Sequence, residues 1–349
     1  MKHNEQNDSM NINSETVRKI GGDKYDILKF ILALLIFSLH SNLLPIYFRP
    51  FQRMAVPLFF MMSSNFFFSK LRQLPQTAER HRALVKYLKR FFSLLLFWTV
   101  VFIIPLNIQR HWSSHPFPLS VLSFLQSLAC GSTFIASWFL SSTIIATTIL
   151  YWAIYKARMA TWLVFCLSLS AYLICCRFSL YSGFFPLSPM QQTALNVYQQ
   201  YLGVPYNSFP AALIWIFIGK MIAYEELRLT KRVSLLLSCA GFMLLLFEYT
   251  LVYLSADIAY TDCSVSLLIV CPAFFMYFTY LDDINIKHAR LLRKHSVVIF
   301  CTHGSFLIIY HLLFITPTII PYLTLASCLL TGMLVIHYSN RIQILRYSH

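Results

Sequence analysis

Apolar runs of about 16 to 22 residues recur along the chain from residue 27 onward, and they limit the possible folds more than any other feature. A helix rises about 1.5 Å per residue, so each run matches the ~30 Å hydrocarbon core of a bilayer. With 58% hydrophobic and only 12% charged residues, the chain is not a soluble enzyme. We predict an all-α, polytopic integral membrane protein with about ten transmembrane helices. The predicted spans are 27–47, 54–69, 91–109, 136–155, 160–176, 209–224, 233–254, 263–280, 297–314 and 319–338.

The basic residues indicate the orientation of these spans. The formal net charge is +15, which in a soluble chain would suggest a nucleic-acid partner. With ten spans, however, 23 Lys and Arg residues fall in the two tails and the loops on their side, against four in the opposite loops. Short cytoplasmic loops accumulate Lys and Arg. Both termini are therefore predicted to be cytoplasmic, and no nucleic-acid partner is expected.

The same pattern divides the chain into three parts. Residues 1–24 form a polar cytoplasmic tail whose composition predicts disorder, and they lack the apolar stretch of a signal peptide. Residues 25–340 form one membrane domain, and 341–349 form a short cytoplasmic tail. The cysteines include no C-x-x-C pair, so no metal site is expected.

Ionisable groups inside hydrocarbon are costly, which makes Lys29 and His40 in the first span candidates for function. Eleven residues at ~100° each come to three turns plus ~20°, so the two share a helix face, roughly 16 Å apart along the axis. Lys29, near the cytoplasmic mouth, suits a nucleotide phosphate, although snorkelling to the interface explains it equally well. His40, in the outer half, is either a catalytic base or a packing histidine.

Two alternative roles are also open for each of the other polar residues. Arg90 follows a basic loop and either faces a phosphate-bearing ligand or contacts lipid headgroups. Glu248 either makes a structural pair or orients His40 or an acceptor hydroxyl. The outer loops 110–135 and 177–208 carry aromatic and amide side chains that suit sugars, and an interfacial aromatic belt gives the same composition.

Several motifs together resemble the acyltransferase-3 family of integral membrane acyltransferases, which modify bacterial surface glycans. They cover residues 25 to about 311. Two departures are Lys29, where the family often has Arg, and Ser63-Ser64, where Ser-Gly is usual. The motifs are Tyr25-Asp26-Ile27-Leu28-Lys29-Phe30, His40, the run Arg53-Met54-Ala55-Val56-Pro57-Leu58-Phe59-Phe60-Met61-Met62-Ser63-Ser64, Lys89-Arg90, Trp138-Phe139-Leu140, Phe217-Ile218-Gly219 and Ser296 through His303.

The resemblance implies an acyl-CoA donor, most simply acetyl-CoA, and a sugar hydroxyl as acceptor, on a surface polysaccharide such as O-antigen or capsule or on its lipid-linked precursor. His40 would be the essential catalytic residue, either as a base or as a transient acyl carrier. Lys29 and Arg90 would hold the donor phosphates. The expected acceptor or cavity residues are Arg53, Ser63, Trp138, Glu248 and His303.

The resemblance also implies a multi-pass protein of the bacterial cytoplasmic (inner) membrane. Its expected partners are the lipid bilayer, acyl-CoA, the glycan acceptor and glycan-assembly proteins. The main alternative is a polysaccharide or glycolipid transporter, because ten helices around a polar cavity suit translocation. Pro57 and Pro272 interrupt spans, but the sequence shows none of the repeated halves typical of transporters. A scaffolding protein would leave the Lys29 to His40 pattern unexplained.

Overall fold

The computed structural model describes residues 22–255, 262–339, 341, 342, 345 and 347–349, and within them all regular structure is helical. The predicted tail 1–24 thus lies outside the described residues up to residue 21. The helices are α1 (Asp23–His40), α2 (Arg49–Arg53), α3 (Ala55–Arg72), α4 (Thr77–Val101), α5 (Ile103–Arg110), α6 (Leu119–Ala129), α7 (Trp138–Tyr151), α8 (Thr161–Phe178), α9 (Pro189–Leu202), α10 (Phe209–Ala223), α11 (Lys231–Ser255), α12 (Leu267–Thr279), α13 (Ala289–Leu312) and α14 (Ile320–Tyr338).

Helices α3 and α10 pack together at the centre of the bundle. Their backbones approach closely at Gly219, where an added Cβ would lie 2.0 Å from Ser64 Oγ and 2.6 Å from the Met61 carbonyl oxygen. Asn65 Nδ2 also donates a hydrogen bond of 3.3 Å to the Gly219 carbonyl. In a bilayer the lipid is as apolar as the side chains, so helices associate through close packing of small residues and interhelical hydrogen bonds. The Ser64–Gly219 contact therefore holds the two central helices together.

The remaining helices surround this pair. Helix α1 lies between α3 and α13, and α13 in turn packs against α14. Helices α7 and α8 also pack against α10, and α11 packs on α12. Only 28% of the span residues of α8, α11 and α14 are buried, against 67% for α13. These three helices consequently present apolar faces to lipid.

The structure confirms a helical polytopic membrane protein, but it does not confirm ten spans. Among the described residues, seven helical segments are long and apolar enough to cross a bilayer, or eight when the bent pair α4 and α5 counts as one span. The first predicted span, 27–47, corresponds to α1, which carries four charged residues and ends at His40. The eighth, 263–280, corresponds to α12, which has only 13 residues. Both α1 and α12 are buried by packing against neighbouring helices.

The bend between α4 and α5 is 78° at Phe102. Pro105 explains its position, because a proline ring clashes with the carbonyl of the residue four positions earlier, here Val101, the last residue of α4. Helices α6 and α9 lie within the loops 110–135 and 177–208, for which the sequence predicts no helix. With 11 and 14 residues they are too short to span a bilayer.

Candidate active site

A cavity opens where α1 and α2 end and where α3, α7 and α10 begin. Its volume is about 60 Å³, which suits a few water molecules. The wall is mainly aromatic and apolar, with a small number of polar groups, as in most small-molecule sites. The lining residues are Ile36, Leu39, His40, Gln52, Arg53, Val56, Pro57, Phe60, Ala136, Trp138, Phe139, Tyr172, Tyr206, Asn207, Ala211, Trp215, Asp262, Cys263 and Phe300.

His40 is the last residue of α1, and its side chain is exposed at the cavity. The helix ends here because the chain turns at Ser41 and then takes the left-handed conformation at Asn42, with φ of 51°. Asparagine tolerates that conformation better than most residues. Arg49 donates a hydrogen bond of 3.3 Å to Asn42 Oδ1 and so ties the turn to α2. The imidazole therefore sits at a helix end, rather than within a span that continues to residue 47.

His303 on α13 stacks on His40, with ring centroids 5.4 Å apart and an interplanar angle of 28°. His303 is fully buried, and its Nδ1 lies 2.9 Å from the Ile299 carbonyl oxygen. Its Nε2 has no hydrogen-bond partner among the described residues. The stacking of the two rings orients the imidazole of His40. His303 itself is not part of the cavity wall.

Arg53 provides a cation on the cavity wall within Coulombic range of His40. It forms a salt bridge with Asp262, which also lines the cavity, and both side chains are largely buried. The Ser179 hydroxyl oxygen accepts hydrogen bonds from the backbone N–H groups of Asp262 (3.0 Å) and Cys263 (3.2 Å). The end of α8 thus holds Asp262 in place, and Asp262 holds Arg53.

Gln52, the residue before Arg53, is buried and joins α2 to α1. Its Nε2 donates a hydrogen bond of 2.8 Å to Ser38 Oγ, which donates one of 2.8 Å to the Leu35 carbonyl. Ser38 lies two residues before His40. This chain of hydrogen bonds fixes the distance between the helix end that carries His40 and the helix that carries Arg53.

The wall opposite His40 is formed by the start of α7. Trp138, its first residue, lies with its ring centroid 6.0 Å from that of Phe60. Ala136, just before it, is buried in the left-handed conformation with φ of 67°, which is strained for alanine. A Cβ at Gly304 would lie 2.3 Å from Ile135 Cβ, so this glycine lets the strained segment approach α13 beside His303. Such strain concentrates at functional sites.

Two predicted site residues lie away from the cavity. Ser63 Oγ lies 2.8 Å from the hydroxyl of Tyr87 on α4. Glu248 accepts hydrogen bonds of 3.1 Å from the backbone N–H groups of Val265 and Ser266, and others from the hydroxyls of Tyr181 and Ser266. Glu248 therefore anchors the segment before α12, and it neither touches His40 nor lines the cavity.

The other end of α1 carries a cationic cluster. Lys29 Nζ lies 3.4 Å from Asp26 Oδ1 and 5.0 Å from the centre of the Phe66 ring. Arg293 on α13 lies 3.6 Å from the other oxygen of Asp26. Arg90 on α4 is exposed and within Coulombic range of Lys29 and Arg293. Lys29 and Arg293 share one carboxylate and Arg90 adds a third cation beside them, so the cluster retains positive charge for an anionic ligand.

The structure thus separates the candidate residues into two groups. His40, Arg53 and Trp138 meet at the cavity with His303 behind them, whereas Lys29 and Arg90 lie at the opposite end of α1. Sequence reasoning missed Gln52, Asp262 and Arg293. Gln52 directly precedes the motif that begins at Arg53, but Asp262 is 209 residues from Arg53, and no local pattern connects the two.

The fold and the site define a class of protein: a multi-pass helical membrane protein with a histidine-lined cavity at one end of a helix and a cationic cluster at the other. A family model described as an acyltransferase domain matches residues 23–338. The chain therefore belongs to the acyltransferase-3 family and is a membrane acyltransferase. Searches of curated proteins and of solved structures found no match to the chain.

Proposed function

We propose that the protein transfers an acetyl or other short acyl group from acyl-CoA to a hydroxyl of a surface polysaccharide, or of its lipid-linked precursor, at the bacterial cytoplasmic membrane. One observation carries the proposal. Helix α1 presents a cationic cluster at one end and a cavity with an exposed histidine at the other, about 16 Å apart along its axis. A nucleotide donor with a long flexible arm requires both features.

The cationic cluster suits the phosphate groups of coenzyme A. Lys29, Arg90 and Arg293 come from three helices and would contact an anion from three directions. Asp26 holds Lys29 and Arg293 near one another before the donor arrives. Lysine provides a point charge without the fork of arginine, so in this chain Arg90 and Arg293 would supply any bidentate phosphate contact.

At the cavity, His40 acts on the acceptor hydroxyl. The hydroxyl oxygen attacks the thioester carbonyl carbon, the C–S bond breaks, and the proton passes through His40 to the departing thiolate. The stacked His303 holds the imidazole in one plane, and Arg53 contacts the acceptor or the oxygen that becomes negative during attack. In a second route His40 carries the acyl group itself before the hydroxyl receives it.

Deletion and complementation test the proposal. Mass spectrometry of the surface glycan should show that an acyl substituent disappears in a deletion strain while the amount of glycan is unchanged. His337 on α14 is exposed and away from the cavity, so His337→Ala should restore the substituent and His40→Ala should not. Loss of the glycan itself would contradict the proposal and support a transporter.

A further inference from the structure

A second, larger pocket adjoins the cavity on the side of α9, with a volume of about 590 Å³. This volume lies within the range of ordinary small-molecule sites. It is bounded by α9, the end of α8 and the short turn at residues 205–207. The lining residues are Phe178, Ser182, Leu187, Pro189, Gln192, Leu195, Gln199 and Tyr206.

We infer that this pocket binds neutral sugar residues of the acceptor glycan, next to the residue that is acylated. The inference rests on the proposed function and assigns the place where the acceptor binds. The lining contains no Asp, Glu, Lys, Arg or His, so it does not favour a charged ligand. The Gln199 amide both donates and accepts hydrogen bonds, as sugar hydroxyls require, and so does that of Gln192, whose Nε2 also donates to Asn196 Oδ1 at 2.9 Å. The half-buried ring of Phe178 offers an apolar face.

The pocket and the cavity share a wall. Tyr206 lines both, and the next residue, Asn207, lines the cavity. The turn that carries these two residues is linked to α8, because Cys175 Sγ donates a hydrogen bond of 3.3 Å to the Pro205 carbonyl. A glycan seated in the pocket would therefore lie one side chain, that of Tyr206, away from the cavity that His40 lines.

The outer wall of the pocket is held at both ends. At the start of α9, Ser188 Oγ accepts from the backbone N–H of Gln191, and Arg177 donates a hydrogen bond of 3.1 Å to the Gln191 side-chain oxygen. Near its end, Gln126 of α6 donates to the Gln200 carbonyl. A wall fixed before the ligand arrives lowers the entropic cost of binding.

The adjacent residues Gln199 and Gln200 provide a matched test. Gln199 lines the pocket, whereas the Gln200 side chain is exposed and outside it. The protein is purified in lipid nanodiscs and assayed with acetyl-CoA and with oligosaccharides prepared from the O-deacylated surface polysaccharide. Gln199→Trp should raise the KM for the oligosaccharide about tenfold or more, with the KM for acetyl-CoA unchanged. Gln200→Trp should leave both values unchanged.

Binding is measured separately by saturation-transfer NMR with the same oligosaccharides, so the pocket can be tested even without turnover. Contact with the wild type that disappears in Gln199→Trp supports the pocket, and absent turnover would then contradict only the proposed function. A wild-type oligosaccharide KM in a folded Gln199→Trp variant would overturn the inference. A lipid occupant would also overturn it, and it would appear as a change in thermal stability with added lipid and no change in oligosaccharide binding.

Discussion

The close approach of α3 and α10 predicts that Gly219→Ala destabilises the bundle. The added Cβ would lie 2.6 Å from the Met61 carbonyl oxygen, 0.8 Å short of an ordinary 3.4 Å contact. Met61 O belongs to the backbone, so it cannot rotate away, and the helices must separate. A gap of this size forfeits about a quarter to a half of the dispersion energy of the atoms along the seam. We expect a loss of about 1–3 kcal/mol in the free energy of unfolding.

The assay is thermal unfolding in detergent. Gly219→Ala should lower the Tm, and because α3 and α10 both line the cavity, it should also lower kcat. Ser64→Gly in the same chain removes the clash with Ser64 Oγ and leaves the one with Met61, so it should restore the Tm only in part. Gly131→Ala is the control, because its nearest neighbour lies at 3.3 Å. A wild-type Tm for Gly219→Ala, or full rescue by Ser64→Gly, would refute the reasoning.

Two further predictions concern the two ends of α1. Lys29→Ala should raise the KM for acetyl-CoA about tenfold, because it removes a charge-assisted contact to phosphate, and Lys29→Arg should restore it. Steady-state kinetics with Lys89→Ala as control would check this, and an unchanged KM would remove Lys29 from the donor site. Asp262→Asn should cost about 1–3 kcal/mol, since it removes the acidic partner from a largely buried salt bridge with Arg53. Arg53→Gln in the same chain should recover part of the lost Tm, and strictly additive losses would show that the pair is not coupled.

Much of the fold could be predicted from the sequence, because the length of an apolar run, compared with the bilayer thickness, determines whether a helix can span the membrane. The shared helix face of Lys29 and His40 and their separation of roughly 16 Å also follow from helical geometry, whereas the end of the helix at His40 does not. The span count did not follow, because α12 has 13 residues and a proline and is buried by its neighbours, which no single run reveals.

The site was less predictable, for a physical reason. Arg53 depends on Asp262, and His40 stacks on His303, and both pairs join distant parts of the chain. Glu248 illustrates the opposite problem. A carboxylate inside an apolar helix suggests chemistry, yet here it accepts hydrogen bonds from the backbone N–H groups of Val265 and Ser266 ahead of α12. The sequence shows that a carboxylate in an apolar span is costly, but it does not show whether the carboxylate has a catalytic or a structural role.

The central claim is that His40 performs the acyl transfer, and the most direct measurement uses purified protein in nanodiscs with radiolabelled acetyl-CoA and O-deacylated surface glycan. The account predicts label in the glycan with the wild type and with His337→Ala. With His40→Ala, folded and with an unchanged Tm, it predicts no label. Transfer to glycan by that variant at the wild-type rate would contradict the account.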